Sequence, residues 1–161
     1  MSIIVRRLLE SELAWANGRY EEVRFPPSPP QDFIAAAEVD NVKAGLGRLV
    51  PIDAGCGELG GIFVLPAFRG GGVANAVVSF LLENSRYRTL FCIPYAKLDA
   101  FYRGFGFRSV AAGTAVPDVV SEKLNWCAKQ YSDPVCLLVR GVSSQGGKGI
   151  PTIGTPPVTG W

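Results

Sequence analysis

The pattern of apolar and polar positions predicts a group of strands near the start of the chain, followed by strands that alternate with helices. The first third predicts a strand over 3–8, a helix over 10–22 and two strands over 33–38 and 42–50. Between the helix and the second strand, Phe25-Pro26-Pro27-Ser28-Pro29-Pro30 interrupts regular structure, because proline lacks an N–H and fixes φ. Asp40-Asn41 is typical of a hairpin turn.

The remaining elements predict a buried sheet covered by helices. They are strands over 59–64, 89–93, 107–111 and 135–140, and helices over 73–83, 97–103 and 118–130. Gly60 and Gly61 indicate a bulge within the first of these strands. An initial hairpin followed by alternating strands and helices predicts a mixed sheet in one α/β (α+β) domain.

Length and composition set the limits of that domain. The chain has 161 residues, of which 48% are hydrophobic and 19% charged, as expected of a globular protein. We assign residues 1–142 to the domain. Residues 143–161 are rich in glycine, proline, serine and threonine without periodicity, which predicts a flexible tail.

The net charge and the spacing of the cysteines narrow the possible binding partners and the possible cellular compartment. A net charge of +2 gives no reason to expect nucleic acid or a membrane surface as a partner. The N-terminus meets Arg6 and Arg7 before an apolar run develops, so we expect no secretory signal. The four cysteines form no CxxC pair, which favours a reduced, cytoplasmic setting, with a disulfide as the alternative.

The chain contains no histidine. Mechanisms that require a histidine base or a histidine metal ligand are therefore excluded, and we expect no metal site. Cys92 lies in an apolar strand and lacks an activating base, so it is better explained as a small core residue than as a nucleophile.

The most informative segment links the predicted strand over 59–64 to the helix over 73–83. Arg69-Gly70-Gly71-Gly72-Val73-Ala74 is a glycine-rich turn that opens an apolar helix. Consecutive glycines allow several N–H groups to converge, and the helix adds its unpaired donors and its positive dipole end. Arg69 adds a full charge. A pyrophosphate fits such a turn.

The alternative is a flexible glycine turn that binds nothing, because such motifs recur by chance. Two other phosphate loops do not match. Asn75 and Ala76 stand where GxxxxGK[ST] needs a lysine and a hydroxyl, and no acidic residue follows at the spacing that accompanies GxGxxG.

Here the chain resembles the GNAT acetyltransferases. Arg69-Gly70-Gly71-Gly72-Val73-Ala74 matches their R/Q-x-x-G-x-G/A signature, and Phe101-Tyr102-Arg103-Gly104-Phe105-Gly106-Phe107 is similar to their later FYxxxGF segment. The resemblance implies the GNAT acyl-CoA N-acyltransferase fold, a mixed sheet of about six to seven strands that splays between the fourth and fifth. It also implies that acetyl-CoA is the co-substrate, with its pyrophosphate on the turn over 69–74.

The resemblance further implies that the main chain of Ile62, Phe63 and Val64 pairs with the pantetheine arm, and that the Ile62 N–H meets the oxyanion. Many members carry an asparagine after the next strand, which binds the same arm. This chain has Ile93-Pro94-Tyr95 there, so either the Tyr95 hydroxyl replaces the asparagine or the contact is missing.

Glu58 is the candidate general base. It lies eleven residues before Arg69 (69 − 58 = 11), similar to the glutamate of histone-acetylating members of the family. An amine with a pKa near ~10 needs such a proton acceptor at neutral pH. The alternatives are a solvent-exposed glutamate at a strand entrance and a chain of waters that carries the proton.

Tyr102 is the candidate general acid for the departing thiolate, since its phenol has an ordinary pKa of about 10. The alternative is an aromatic residue packed beside Phe101, Phe105 and Phe107.

Together these features predict an acetyl-CoA-dependent N-acetyltransferase in which a primary amine attacks directly in a ternary complex. The amine is a small molecule or a protein amine, and the enzyme is a monomer or homodimer. Two alternatives remain: a noncatalytic acyl-CoA sensor or scaffold, and an acyltransferase for a longer acyl chain. Bulky Phe63 and Phe91 near the cleft would argue against a longer acyl chain.

Overall fold

The computed structural model of the protein describes residues 2–141, which build a seven-stranded sheet with helices on both faces. The strands are β1 (Ile3–Arg7), β2 (Phe33–Val39), β3 (Val42–Asp53), β4 (Cys56–Val64), β5 (Thr89–Cys92), β6 (Arg108–Ser109) and β7 (Leu138–Gly141). The helices are α1 (Leu13–Glu22), α2 (Val73–Glu83), α3 (Asp99–Arg103) and α4 (Asp118–Gln130). The tail predicted over 143–161 lies outside the described residues.

The strands lie in the order β1-β2-β3-β4-β5-β7-β6. Only the β4–β5 pair is parallel, and the other neighbouring strands are antiparallel. A parallel pair needs a crossover, which α2 supplies. This arrangement confirms the predicted mixed α/β sheet.

The hairpin between β2 and β3 confirms the turn expected at Asp40-Asn41. Both residues have positive φ, 50° and 71° respectively, as a type I′ turn requires. Asparagine and aspartate tolerate this left-handed conformation better than most residues.

Several predicted elements differ in extent from the structure. The strand expected over 107–111 is only Arg108–Ser109, because the chain leaves the sheet directly after pairing with β7. The helix expected over 97–103 begins as a 3₁₀ turn, Ala96–Leu98, and continues as α3. Glu58, expected at the start of its strand, is the third residue of β4.

The two faces of the sheet carry different helices. On one face, which we call the α2 face, buried residues of β2 to β5 and β7 pack against α2 and against Tyr102 of α3. On the opposite face, the α4 face, Phe91, Ile93 and Val139 pack against Val120 and Cys127 of α4. The amino-terminal half of the α4 face is covered by α1, whose Ala16 and Tyr20 contact Leu46 and Phe63.

No helix within residues 2–141 is both long and apolar enough to cross a membrane. No disulfide joins the four cysteines, which all lie within residues 2–141, and Cys56, Cys92 and Cys127 are buried. Burial raises the pKa of Cys56 to about 12 and that of Cys127 to about 11, so both thiols stay protonated at neutral pH.

The expected bulge lies in β4 at Gly61. Leu46 pairs with Phe63 and Arg48 with Gly60, so two residues of β4 lie opposite one of β3. Gly61 has φ +62°, and a Cβ there would lie 2.7 Å from the Tyr20 hydroxyl and 2.8 Å from Arg48 Nε. The Tyr20 hydroxyl donates to the Gly61 carbonyl at 2.9 Å. Glycine is therefore required here both by φ and by space.

We expect Gly61→Ala to destabilise the protein by about 3 kcal/mol, the sum of left-handed strain and a clash with Tyr20 and Arg48. Chemical denaturation measures the change. Gly113→Ala is the control, because Gly113 has φ +86° but nothing within 4 Å of an added Cβ. Strain alone should cost that variant about 1 kcal/mol. Equal losses in both variants would contradict a packing role for the bulge.

Candidate active site

The pairing of the two parallel strands stops early. Only Cys56 to Glu58 of β4 pair with Thr89 to Phe91 of β5, although β4 continues to Val64. Residues 59–64 therefore have β3 on one side and an open edge on the other. This confirms the predicted splay between the fourth and fifth strands.

The N–H groups along the open edge of β4 point in alternating directions. The Leu65 N–H donates to the Ala44 carbonyl, on the β3 side, at 2.9 Å. Because successive peptide groups of a regular strand point to opposite sides, Val64 directs its N–H group to the open edge and Phe63 directs its own to β3. Ile62 lies in the bulge, where this alternation does not apply. Of the three residues expected to pair with pantetheine, Val64 thus has the suitable orientation.

The glycine-rich turn lies between β4 and α2. Gly70 has φ +83° and Gly72 has φ +91°, while Gly71, between them, does not have positive φ. Such alternation turns successive N–H groups to the same side and forms a concave anion site. Gly72 is also the N-cap of α2, so the first donors of this helix continue the concavity.

The donors of this turn have no acceptor within the described residues. Across the described residues, no hydrogen bond is made by the N–H groups of Gly70, Gly71, Gly72, Val73 or Ala74. The space in front of the turn is open, since an added Cβ at Gly70 meets nothing within 4 Å and at Gly72 meets only Ile3, 3.9 Å away. The turn thus presents five unsatisfied donors to solvent.

Arg69 has a different role in this structure from the one expected at the rim. Its Nε donates to the Val64 carbonyl at 3.2 Å, so the guanidinium is held against the end of β4. The side chain is exposed, which leaves it able to move toward an anion on the turn.

Tyr102 lies on the α2 face, in the same buried cluster as Leu59 and Ile62 of β4 and Cys92 of β5. Its side chain is fully buried, and its hydroxyl has no hydrogen-bond partner in residues 2–141. Burial raises the pKa of Tyr102 well above its ordinary value, with a smaller contribution from Cys92. The phenol is therefore neutral and holds a proton without an acceptor, beside the two diverging strands.

The Tyr102 ring also packs edge-on against Phe101 and Phe107, at centroid separations of 4.8 Å and 6.1 Å. Packing therefore holds the ring in place. A hydroxyl that merely capped the core would be expected to find a partner, because an unsatisfied buried O–H costs about 1–3 kcal/mol.

Glu58 lies on the α4 face at the last paired position of β4, opposite Phe91. It is only 5% exposed, which is not the solvent-exposed alternative considered from the sequence. Both of its carboxylate oxygens accept hydrogen bonds from Lys123 Nζ of α4, each at 2.9 Å. The nearest cation to the candidate base is therefore an amine of the protein itself.

A second buried charge lies next to the bulge. Arg48 is 3% exposed, its guanidinium stacks on Tyr20 at 4.2 Å, and its Nε has no hydrogen-bond partner among the described residues. Its Nη1 donates to the Pro26 carbonyl at 2.9 Å and to Ser28 Oγ at 2.7 Å. Arg48 thereby connects the proline-rich loop to the bulged strand.

Asp32 completes this group of charges. It is buried, and its carboxyl accepts a hydrogen bond from Ser28. Burial raises the pKa of Asp32, while the charges of Arg48 and Lys123 act in the opposite direction. Asp32 therefore lies within electrostatic range of both cations. A cavity of about 300 Å³ adjoins Asp32. It is lined by Arg7, Leu8, Leu9, Glu10, Leu13, Pro30, Asp32 and Ile34.

Tyr95 follows β5 and pairs with Val135 across an isolated bridge. Its ring packs edge-on against Tyr131 at 5.8 Å, and Tyr131 also contacts Phe25 and Trp126. Tyr131 thus links the segment after α1 to the end of α4 across the α4 face.

Sequence reasoning missed Arg48, Asp32 and Tyr131 as part of this region. Arg48 was detectable, because a charged residue inside the apolar run of β3 indicates a buried charge. Asp32 and Tyr131 gave no comparable signal, since both lie at the ends of elements. The contact of Lys123 with Glu58 joins positions 65 residues apart, so no local pattern indicates it.

No group of three or more metal-ligating side chains is present within residues 2–141. The residues of this region instead fit a coenzyme A thioester. They comprise free amides for a diphosphate, an open strand edge for the amide-rich arm, and a neutral phenol near the point where the strands separate.

Comparison with known proteins agrees with this arrangement. A sequence model described as the acetyltransferase (GNAT) family matches residues 4–107, more than half of the chain. The chain is similar to N-acetylglutamate synthase from Neisseria gonorrhoeae, solved with coenzyme A and N-acetyl-glutamate, with a TM-score of 0.64 and 16% identity. That match covers 86% of this chain and 35% of the synthase, so the chain spans about a third of the synthase's length.

Two solved structures of similar size show the same fold. One is Rv2747 from Mycobacterium tuberculosis, in complex with CoA and NLQ. The match has a TM-score of 0.64 at 18% identity and covers 84% of this chain and 97% of the Rv2747 chain. The other is an IAA acetyltransferase from Bacillus cereus. That match has a TM-score of 0.61 at 15% identity and covers 86% of this chain and 98% of the acetyltransferase chain. Together, the family match over 4–107 and the splayed sheet establish that this chain belongs to the GNAT acetyltransferase family.

Proposed function

We propose that the protein is an N-acetyltransferase that moves an acetyl group from acetyl-CoA to a primary amine by direct attack in a ternary complex. The observation that carries this proposal is the set of five unpaired N–H groups between Gly70 and Ala74, directly after a strand with an open edge. A diphosphate satisfies such donors, and an extended amide-containing arm satisfies such an edge.

Main-chain groups position the thioester. The Val64 N–H group pairs with the arm in the manner of an added strand. The Ile62 N–H, which lies directly after the bulged Gly61, donates to the oxyanion as it develops. A preorganised donor at such a position typically contributes about 3 kcal/mol to transition-state stabilisation.

Two side chains handle the protons. Glu58 accepts the proton of the attacking ammonium, through water where the distance requires it. Tyr102 supplies a proton to the departing thiolate, whose thiol has a pKa near ~8.5. The raised pKa of Tyr102 keeps the phenol protonated throughout the neutral range, as this step requires.

An acetyl donor is favoured over a longer acyl chain by the residues beside the open edge. Phe63 and Phe91 are both buried, and they occupy the α4 face on either side of the splay. A noncatalytic sensor would need the phosphate turn and the open edge but would have no use for an unpartnered Tyr102 hydroxyl. The Neisseria and Mycobacterium structures, both complexes with coenzyme A, support the choice of coenzyme.

The acceptor enters from the α4 face in this proposal. Glu58, Asp32 and Arg48 are buried there; Arg48 lies beside the bulge, and Asp32 lines the cavity. Buried carboxylates attract a cationic amine more strongly than exposed ones, because water screens them less.

Thermal melting tests coenzyme binding. Acetyl-CoA and free coenzyme A at about a hundred times their dissociation constant should each stabilise the protein by about 2.7 kcal/mol, and NAD should not. Gly72→Glu should abolish the shift, since it places a carboxylate among the phosphate donors. Gly72→Ala is the matched control, because it has the same φ strain but no charge. This variant should retain most of the melting shift. A full shift in Gly72→Glu would place the phosphates elsewhere.

Tyr102→Phe should lower kcat by about a hundredfold while the coenzyme-induced melting shift stays unchanged, because only the proton donor is lost. The folded protein should lose no stability, since the hydroxyl has no partner to leave unsatisfied. Steady-state assays with a panel of primary amines, together with melting of the free variant, provide both readouts. A wild-type rate in the variant would assign Tyr102 to the core alone.

A further inference from the structure

Lys123 presents an amine to the carboxylate that our proposed function assigns as the general base. Both oxygens of Glu58 accept from Lys123 Nζ at 2.9 Å. No other donor in residues 2–141 forms a hydrogen bond to the Glu58 carboxylate. In a ternary complex, the group that donates its proton to this carboxylate is the acceptor ammonium.

The helix that carries Lys123 holds it toward the sheet. Val120 and Cys127, three residues before and four residues after Lys123, are buried against Phe91 and Val139. Positions separated by three and four share one helix face, so Lys123 projects from the face that covers the site. Its side chain remains 25% exposed, which leaves it room to change rotamer.

Charged side chains lie between the Lys123–Glu58 pair and the bulge at Gly61. Lys123 and Arg48 both act on Asp32, and Arg48 Nε lies next to Gly61. Three residues of β4 lie between Glu58 and Ile62, and the bulge makes their separation shorter than the ~13 Å of four regular strand steps. A lysine has four flexible side-chain bonds, so Nζ can move from Glu58 along the α4 face toward the thioester.

We propose that Lys123 is a self-acetylation site: in the absence of an external amine, the enzyme transfers the acetyl group of acetyl-CoA to Lys123 Nζ. The inference rests on the proposed function, because it uses the same donor and the same base. A tethered amine needs no affinity to reach the thioester, and its effective concentration replaces the binding energy of a free acceptor.

The step balances without any other reactant. The Lys123 ammonium gives one proton to Glu58, and its nitrogen attacks the thioester carbonyl carbon. The new C–N bond forms as the C–S bond breaks; the nitrogen gives up its second proton, the coenzyme thiolate takes a proton from Tyr102, and the proton lost by the nitrogen restores Tyr102. Glu58 then releases its proton to water. The product is an uncharged amide, so Glu58 loses its ion-pair partner and becomes available to an external cationic amine.

The experiment uses the full chain incubated with acetyl-CoA and no added amine, followed by intact mass and peptide mapping. We expect a single addition of 42 Da at Lys123, at a first-order rate that does not change with protein concentration. Lys97 is the internal control, because it is 69% exposed and forms a surface ion pair with Asp133 at 3.3 Å. Its occupancy should be at least about tenfold lower than that of Lys123, although it is more accessible.

Two variants separate self-transfer from chemical acetylation. Lys123→Arg keeps the positive charge beside Glu58 but removes the nucleophile, and it should show no 42 Da addition while keeping the acetyl-CoA melting shift. Glu58→Gln keeps the shape of the base without its charge, and acetylation at Lys123 should fall by about a hundredfold. Urea-unfolded protein measures the background at all lysines.

The outcomes distinguish the two proposals. A melting shift with acetyl-CoA but no preference for Lys123 over Lys97 would overturn self-acetylation and leave the transferase standing. A rate that rises with protein concentration would assign the modification to a second copy and also overturn it. The absence of any melting shift would remove the proposed function itself.

Discussion

The early end of pairing between β4 and β5 is the constraint on which the rest of the site depends. After Glu58 and Phe91 the strands separate, and the main chain of β4 lacks a partner on one side. Unpaired strand edges are costly in a folded protein unless something covers them. Here the bulge at Gly61 is held open by Tyr20 and Arg48, so the separation is built into the packing.

The separated strands divide the proposed chemistry between two faces of one sheet. The glycine turn, α2 and Tyr102 belong to the α2 face, where the phosphates and the leaving thiolate are expected. Glu58, Arg48 and Asp32 belong to the α4 face, where an amine is expected. The thioester would lie at the open edge between them, so the two proton transfers take place on opposite sides of the reacting carbon.

The contact between Lys123 and Glu58 affects both stability and access. A buried carboxylate is expensive without a cation, and the ion pair with Lys123 offsets that cost for Glu58. In the proposed mechanism, the same contact places an ammonium where an acceptor would bind. An external amine would then have to displace Lys123, or react after Lys123 has lost its charge, before Glu58 could act on it. This competition would give α4 a direct influence on which amines react.

The amino-acid sequence by itself determined the order of the elements, the hairpin turn at Asp40-Asn41, the glycine bulge and the phosphate turn. These are local features, set by the φ preferences of glycine, asparagine and proline and by hydrophobic periodicity over a few residues. The resemblance carried by Arg69 to Ala74 and Phe101 to Phe107 then indicated the splayed sheet. Only the tertiary structure decided what surrounds Glu58, how deeply Tyr102 is buried, and where Arg69 points. Those depend on contacts between distant positions, such as Lys123 with Glu58 and Arg48 with Ser28, which no local pattern records.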